Sequence, residues 1–297
     1  MNYSIGVDVG GTNIRLAVVD ELGNIVKVVK QRTRKVTTPS ELVDQIVDMY
    51  NELNAGEYHP IGMGVGVPGP TQQSTGHVYV LSNLGLGGFN LKDMLEAKLN
   101  IKVVVGNDAK VAALAEGVLG AGQGAHVMQY ITISTGIGGG LVIDGKLYYS
   151  SLGFSQEIGN MLIDKEGDQP NPNMSVGCLE GLCSGTAIVK YAAKKGLTVA
   201  HAGEFFELAA KGNEIAVELR NVWLDNMARG IGSLVNVLEP DLFVIGGGVI
   251  QSSEYFLEDL RKKVNDYVFA QMKDKVVIKL AHFDQDAGLI GAALLVR

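Results

Sequence analysis

The 297-residue sequence lacks several features that mark whole classes of protein. It has only two cysteines, Cys178 and Cys183, too few for a disulfide framework and typical of reduced thiols in a cytoplasmic protein. No apolar run approaches the roughly 18 residues that would indicate a membrane span. No basic segment precedes an apolar one at the N-terminus, as a secretory signal would require. We therefore expect a cytoplasmic protein that does not act at a membrane.

Positive charge is also scarce. The chain has 25 Lys and Arg against 32 Asp and Glu, a net charge of −7, which argues against nucleic acid as the main partner. A phosphate site would have to depend on backbone N–H groups and a metal ion rather than on a basic surface. The hydrophobic content of 46% and charged content of 19% are those of an ordinary globular chain, long enough for two domains.

Glycine, by contrast, is abundant: it makes up 39 of the 297 residues, roughly 13%, where about 7% is usual. Many of the glycines fall in an internal repeat, because residues 5–25 and 131–147 share one pattern. In each, an apolar run ends in a polar residue (Asp8, Ser134) and is followed by a glycine-rich turn and a second apolar run. The pattern predicts two β-hairpins with glycine tips, and hence two related lobes. Such tips let backbone N–H groups approach an anion, and two of them facing one cleft would hold a nucleoside triphosphate.

The rest of the chain predicts an α/β protein of two lobes. Strand and helix patterns alternate through the first part, and we place the N-terminal lobe at 1–118, joined by the C-terminal helix at about 286–297. A larger C-terminal lobe covers 119–285. The predicted helices are 39–53, 91–99, 107–120, 179–195, 202–236 and 253–271, and the further predicted strands are 61–70, 101–106, 242–248 and 276–281, with an irregular stretch at 150–177.

Several residues at the ends of these strands could carry chemistry. Neither glycine tip is a P-loop or a dinucleotide fingerprint, because no Gly-Lys-Ser/Thr follows and neither opens a helix. A third glycine run, Gly246 to Gly248, follows an apolar strand, where ligands bind in open α/β sheets. Asp8 could hold the waters of a Mg²⁺ ion or simply form a turn.

Three further acids have two interpretations each. Asp108 follows a strand and could accept a proton from a substrate hydroxyl as a general base, or could cap a helix. Glu157 and Glu180 lie in or beside the irregular stretch, and could bind a polyhydroxyl ligand or be ordinary solvated acids.

Taken together, these segments resemble the ROK family of sugar kinases, within the actin-like and hexokinase-like ATPase superfamily. The resemblance covers the whole chain. It implies two RNase-H-like lobes with a cleft between them, an ATP-dependent transfer of phosphate to a hexose hydroxyl, expected at O6, and a homodimer. The matching segments are IGVDVGGTNIRLAV (5–18), GVGVPGP (64–70), SNL (82–84), GNDAKVAALAE (106–116), STGIGGGLVIDGKLY (134–148), EPDLFVIGGGV (239–249) and DAGLIGAALL (286–295).

The resemblance also implies roles for individual residues. Asp108 is the expected catalytic base, and Asp8 the expected Mg²⁺ residue, acting through water. The residues expected to bind the sugar are Asn83, Asn107, Asp108, Glu157, Asn160 and Glu180. Those expected to bind the nucleotide are Gly10, Gly11, Thr12, Asn13, Thr135, Gly136, Gly138, Gly246, Gly247 and Gly248.

One departure from the family pattern is large. The family usually carries Gly-Glu-Ile-Gly-His and then Cys-x-Cys-Gly-x-x-Gly-Cys-Leu-Glu, which binds a structural zinc ion. Here Asn160 stands at the His position, Asn171 and Asn173 at the first two Cys positions, and only Cys178 remains. Cys183 would not replace a ligand, because two thiols five residues apart on a helix face different ways. We therefore expect no zinc site, and a sugar pocket that differs from that of an ordinary glucokinase.

The identity of the sugar is less constrained. The tract GCLEGLCSGTAI resembles the D-allose kinase branch, which normally keeps the zinc motif, so allose and glucose are the leading candidates. Two rivals belong to other functional classes. A sugar-responsive repressor would need a DNA-binding segment before the first phosphate motif, which here begins at residue 5. A non-catalytic sugar-binding protein would be expected to have lost Asp8, Asp108 or a glycine motif, and all are present.

Overall fold

The computed structural model describes residues 2–297 as a mixed α/β protein, which agrees with the expected class. The strands are β1 (Ser4–Val9), β2 (Asn13–Val19), β3 (Ile25–Arg32), β4 (Met63–Val67), β5 (Thr71–Gln72), β6 (His77–Leu81), β7 (Leu86–Asn90), β8 (Val103–Asn107), β9 (Val127–Ile133), β10 (Ile137–Ile143), β11 (Lys146–Leu147), β12 (Leu242–Gly246) and β13 (Ile278–Leu280). The helices are α1 (Pro39–Glu52), α2 (Leu91–Leu99), α3 (Asp108–Val118), α4 (Leu179–Cys183), α5 (Gly185–Lys194), α6 (Ala202–Ala210), α7 (Glu214–Leu238), α8 (Leu257–Val264) and α9 (Ala287–Leu294).

The chain divides into two compact units. The first contains the described residues up to Gly124, then Gly140–Gln156 and His282–Arg297, and the second contains Ala125–Gly139 and Glu157–Ala281. Segment 140–156 therefore belongs to the first unit, although we had assigned it to the C-terminal lobe. The reason is long-range contact within that unit, where the buried ammonium of Lys110 on α3 donates to the carbonyl of Gly153 at 2.6 Å.

The first unit is built on a five-stranded sheet in the order β3-β2-β1-β4-β8. Strands β1, β2 and β3 pair antiparallel, whereas β1, β4 and β8 run parallel, so their carboxyl ends meet at one edge. Helix α9 packs directly on this sheet and on α3. Side chains at Gly6, Gly64 and Gly291 would collide with backbone carbonyls across these contacts, so the close packing requires glycine.

The second five-stranded sheet has the order β11-β10-β9-β12-β13, with β9, β12 and β13 parallel. The core of the second unit contains an aromatic cluster in which the rings of Phe206, Trp223 and Phe256 lie 5.0–5.1 Å apart. A third sheet, β5-β6-β7, has no counterpart in the sequence analysis. Its strands are only two to five residues long, and β7 contains two glycines, which explains why the hydrophobic pattern did not reveal it.

Three helices differ from those expected. The predicted helix 202–236 is divided into α6 and α7, with Asn213 as the N-cap of α7. The predicted helix 179–195 is broken at Ser184, whose extended backbone lets its hydroxyl accept from the N–H of Ala187 at 3.2 Å and begin α5. The predicted helix 253–271 is reduced to α8, because Phe256 leaves the helical conformation and separates α8 from a preceding 3-10 helix. No helix among residues 2–297 combines the length and apolar character that a membrane crossing requires.

Candidate functional site

The parallel strands of the first sheet bring two of the candidate acids to one edge. Asp8, near the end of β1, pairs with Gly66 on the neighbouring strand β4. Gly66 in turn pairs with Gly106, near the end of β8. Since neighbouring strands lie about 4.8 Å apart, Asp8 and Gly106 are separated by about 10 Å across the sheet. Asn107 and Asp108 follow Gly106 directly, at the edge where ligands bind in open α/β sheets.

Asp108 is held in place by its neighbours rather than serving as the helix cap. The N-cap of α3 is Asn107, whose side-chain oxygen accepts from the N–H of Lys110 at 3.2 Å. One oxygen of the Asp108 carboxylate, Oδ1, accepts from the amide of Asn107 at 2.9 Å and from the N–H of Ala109 at 2.7 Å. The half-buried carboxylate is therefore fixed in orientation at the start of α3.

Asp8 lies half-buried beside the N-terminus of α9. Burial raises the pKa of its carboxyl, and the charge of Arg15, directly across the strand pair, opposes that rise. A β-carbon at Gly288 would lie only 3.3 Å from the Asp8 carboxyl carbon, so glycine leaves the carboxylate room. A single half-buried carboxylate near a strand end fits Mg²⁺, which takes one or two carboxylates and completes its shell with water and phosphate.

The first glycine tip presents unpaired backbone donors. The turn is closed by the N–H of Gly10 donating to the carbonyl of Asn13 at 2.9 Å, while Thr33 donates to the carbonyls of Gly10 and Thr12. The N–H groups of Gly11 and Thr12 donate no hydrogen bond within residues 2–297, and both residues are exposed.

Asn83 lies against this tip, because a β-carbon at Gly11 would be 2.9 Å from the Asn83 β-carbon. The first unit thus places Asn83, which we expect to bind the sugar, in contact with a loop that we expect to bind phosphate.

The second glycine tip is built similarly but carries an acid. The N–H of Ser134 donates to the carbonyl of Gly136 at 2.9 Å, and the N–H groups of Thr135 and Gly136 donate no hydrogen bond within the described residues. Glu180, on α4, accepts from the N–H of Ile137 at 2.8 Å through Oε2. Burial raises the pKa of the Glu180 carboxyl, and the Ile137 N–H opposes that rise.

The other residues of the second unit that we expect to bind the sugar lie at a 3-10 turn, Ile158–Asn160. Gly159 of this turn packs against the carbonyl of Ile137 and the side chain of Glu180. Glu157 precedes the turn and Asn160 ends it, and both are exposed. The second unit therefore gathers Glu157, Asn160 and Glu180 around one glycine hairpin.

The segment that aligns with the zinc motif is fastened by asparagines. Asn160 accepts from the N–H of Ser175 at 2.7 Å, and Asn171 accepts from the N–H of Asn173 at 2.9 Å. Cys178 lies just before α4 and Cys183 ends it, and both thiols are buried. The two residues are therefore not on one helix, contrary to our expectation. Within residues 2–297, no group of three or more His, Cys, Asp and Glu side chains is arranged to hold a metal ion.

The third glycine run, Gly246 to Gly248, lies against the end of β9. Gly247 has a left-handed φ of +88° and approaches the carbonyl of Ile133, while Gly248 approaches Ser134. Gly248 borders a cavity of about 960 Å³ that is contained in the second unit. The N-terminal ends of α5 and α6 open into this cavity through Gly185 and Ala202.

Sequence reasoning missed some residues of these sites. Thr186 and His201 line the cavity, and their signal was their position at the starts of two helices. Lys110 was not singled out, although a lysine inside the apolar run of α3 is unusual and its side chain is 2% exposed.

Two sheets of one strand order, each with a glycine-tipped hairpin, together with acids at a strand edge, define an ATPase-like phosphotransferase of the actin-like fold class. Similarity to known proteins agrees and narrows the class: residues 4–297 match the ROK family, and the chain belongs to that family.

Several of its relatives are sugar kinases. The chain is 33% identical over 314 residues to a glucokinase of Halalkalibacterium halodurans, covering 99% of this chain and 95% of the relative. The crystal structure of a ROK hexokinase from Thermus thermophilus matches with a TM-score of 0.88 at 30% identity, covering 98% and 97% of the two chains. A ROK family glucokinase from Streptomyces griseus, in complex with glucose and AMPPNP, matches with a TM-score of 0.81 at 30% identity, covering 99% of each chain.

These similarities confirm the actin-like ATPase fold and make the chain an ATP-dependent sugar kinase. The family also contains a xylose repressor, of which the chain covers 77% at 24% identity.

Proposed function

We propose that this sugar kinase transfers the γ-phosphoryl group of ATP to the O6 hydroxyl of a hexose, with Asp108 as the general base. The observation that carries the proposal is the fixed Asp108 carboxylate at the carboxyl edge of the first sheet. The carboxylate accepts the hydroxyl proton as the hexose oxygen forms its bond to the γ-phosphorus and the bond to the ADP oxygen breaks. Such a transfer depends mainly on positioning and charge neutralisation, which the base completes by orienting the attacking oxygen.

The unpaired N–H groups of the two glycine tips are the proposed phosphate contacts. Backbone donors suit a chain with a net charge of −7, because they bind an anion without basic side chains. The cavity beside Gly246–Gly248 is the proposed place for the nucleoside, and the N-terminal end of α5 favours the phosphates next to it. Asp8 would hold Mg²⁺ through water, and the ion would supply neutralisation of phosphate charge.

Amide and carboxylate side chains are the proposed sugar contacts. Asn83 and Asn107 would supply amides, and Glu157, Asn160 and Glu180 would supply acceptors and a donor. The Asn160 side-chain oxygen already accepts one hydrogen bond, from Ser175, so we expect its amide NH₂ group to be the donor to the sugar.

A coupled assay of ADP release across glucose, allose, mannose, fructose and N-acetylmannosamine tests the activity and identifies the sugar. We expect one hexose to be turned over, with glucose and allose as the leading candidates. Release of ADP with none of them, at saturating Mg-ATP, would favour the non-catalytic sugar-binding alternative.

The base is tested by Asp108→Asn, which should lower kcat by at least about 100-fold while sugar binding survives. The matched control is Asp48→Asn, since Asp48 forms a surface ion pair with Arg34. Turnover close to wild type in Asp108→Asn would remove Asp108 from this role.

The expected homodimer stays a prediction, which light scattering on the purified chain tests.

A further inference from the structure

Three buried polar atoms without partners fall in one short segment, residues 148–156. The hydroxyls of Tyr149 and Ser155 and the side-chain oxygen of Gln156 have no hydrogen-bond partner within residues 2–297. A buried polar group that stays unpaired costs about as much as a lost hydrogen bond, so folded proteins rarely tolerate several together. Their concentration indicates that this segment is completed by something the chain itself does not supply.

The segment is held against the part of the first unit that carries Asp108. Lys110, two residues after Asp108, donates to the carbonyl of Gly153, and Gly153 in turn packs on the carbonyl of Thr71. The Tyr149 hydroxyl lies 3.7 Å from where a β-carbon of Gly106 would stand, at the end of β8. The segment therefore follows the first turn of α3, and its next residue in the chain is Glu157.

Gln156 adds backbone strain at the same place. Its φ is +66°, in the left-handed region that glycine adopts freely and that a side chain such as glutamine disfavours. Strain of this kind persists where the surrounding structure needs the residue, and it is concentrated at ligand sites. Glycine at this position would relieve the strain but would remove the side-chain oxygen.

We propose that Ser155 and Gln156 bind one hydroxyl group of the hexose and determine which hexose is accepted. The Ser155 hydroxyl donates to the sugar oxygen, and the Gln156 side-chain oxygen accepts the sugar hydroxyl proton. This pairing satisfies both buried atoms at once, and a sugar that lacks the hydroxyl or holds it in the other configuration leaves them unpaired. The inference rests on the proposed function, because it places these residues beside the hexose that Asp108 deprotonates.

The test uses Gln156→Gly in the full-length chain. Removing the strain should raise Tm by roughly 2 °C. Removing the acceptor should raise KM and Kd for the preferred hexose about tenfold, with KM for ATP unchanged. Opposite movements of stability and sugar affinity separate a binding role from a structural one, because a purely structural residue would move both together.

Glu239→Gly is the matched control, since Glu239 is an exposed residue that also has a left-handed φ, of +43°. It should raise Tm in the same way without changing either KM. Ser155→Ala should raise the sugar KM in the same direction as Gln156→Gly. Against the series of monodeoxy sugars, one analogue should bind wild type and Gln156→Gly equally, and it identifies the hydroxyl.

Failure of this inference is distinguishable from failure of the proposed function. If wild type phosphorylates a hexose and Gln156→Gly leaves its sugar KM and its discrimination among the deoxy sugars unchanged, the inference is overturned and the kinase assignment stands. If wild type phosphorylates no hexose, the proposed function fails. Calorimetric Kd values for hexoses without ATP then decide the inference: a tenfold difference between wild type and variant supports it, and equal values or no binding overturn it.

Discussion

The two five-stranded sheets follow one plan but use it differently. Both have the order third-second-first-fourth-fifth along their own stretch of chain, with the first, fourth and fifth strands parallel. In the first sheet the acid beside the glycine hairpin, Asp8, belongs to the hairpin strand itself. In the second, Ser134 stands at that point and the acid, Glu180, comes from α4 and binds the hairpin backbone at Ile137.

We infer that this difference separates two tasks on one backbone plan. Asp8 leaves the tip donors of Gly11 and Thr12 unpaired and lies beside them in the chain, where a phosphate-bound cation would be held. Glu180 uses one hairpin N–H to fix its own carboxylate, which leaves its other oxygen for a neutral hydroxyl ligand. We infer that the first hairpin serves the phosphates through charge, and that the second also orients a group for the sugar.

The largest expected effect comes from neutralising the two acids in turn. Asp8→Asn should lower kcat about 100-fold, with partial recovery at high Mg²⁺ and no change in sugar KM, because it removes the charge that holds the cation. Glu180→Gln should instead raise sugar KM about tenfold, because it weakens a hydrogen bond to a neutral ligand. Steady-state kinetics at varied Mg²⁺ and sugar measure both, and identical profiles for the two variants would contradict the division of tasks.

Alanine at the two tips gives a smaller but more specific effect. A β-carbon at Gly136 would lie 2.5 Å from Oε2 of Glu180 and displace it from Ile137, so Gly136→Ala should resemble Glu180→Gln and the double variant should be little worse than either single one. Gly11→Ala pushes on Asn83 instead and should combine additively with Glu180→Gln. Sugar KM values, with roughly tenfold effects for Gly136→Ala, complete the two cycles. Additivity of Gly136→Ala with Glu180→Gln would mean that the tip and the acid act separately.

Much of this arrangement could be predicted from the sequence because its signals are local. Apolar runs that end in glycine clusters located both hairpins, and the Asn-Asp pair after an apolar run located the start of α3. The end of β12 and its glycine run were visible for the same reason. A strand that ends in a tight turn needs its residues to be consecutive, so the pattern survives in the linear sequence.

The rest depends on residues far apart in the chain, and no local pattern encodes such contacts. Glu180 meets Ile137 across 43 residues, and Lys110 meets Gly153 across the same separation. The second of these contacts draws segment 140–156 into the first unit, against our domain boundary. The third sheet was not predicted because strands of two to five residues have too few positions to show a sustained alternation.

The smallest expected effect concerns the turns that close the two hairpin motifs. In the first, the Asp20 carboxylate accepts from the N–H groups of Leu22 and Asn24 and from the Asn24 amide, each at 2.9 Å. In the second, Asp144 and Gly145 both have positive φ, so the backbone itself forms a two-residue turn. Asp20→Ala should therefore lower the free energy of unfolding by about 1–3 kcal/mol at pH 7. Asp144→Asn should cost less, because asparagine suits the same left-handed position.

The stabilisation that Asp20 provides should depend on pH. The hydrogen bonds from Asn24 hold the pKa of Asp20 below its ordinary value of 3.8, so the ionised group stabilises the fold above that pH. The stabilisation is lost as pH falls through the lowered pKa of the folded state, because the unfolded chain takes up the proton first. Denaturant unfolding at pH 7 and near pH 3 should show the gap between wild type and Asp20→Ala shrinking with acid. A gap that stays constant would mean that Asp20 acts through its shape and not through its charge.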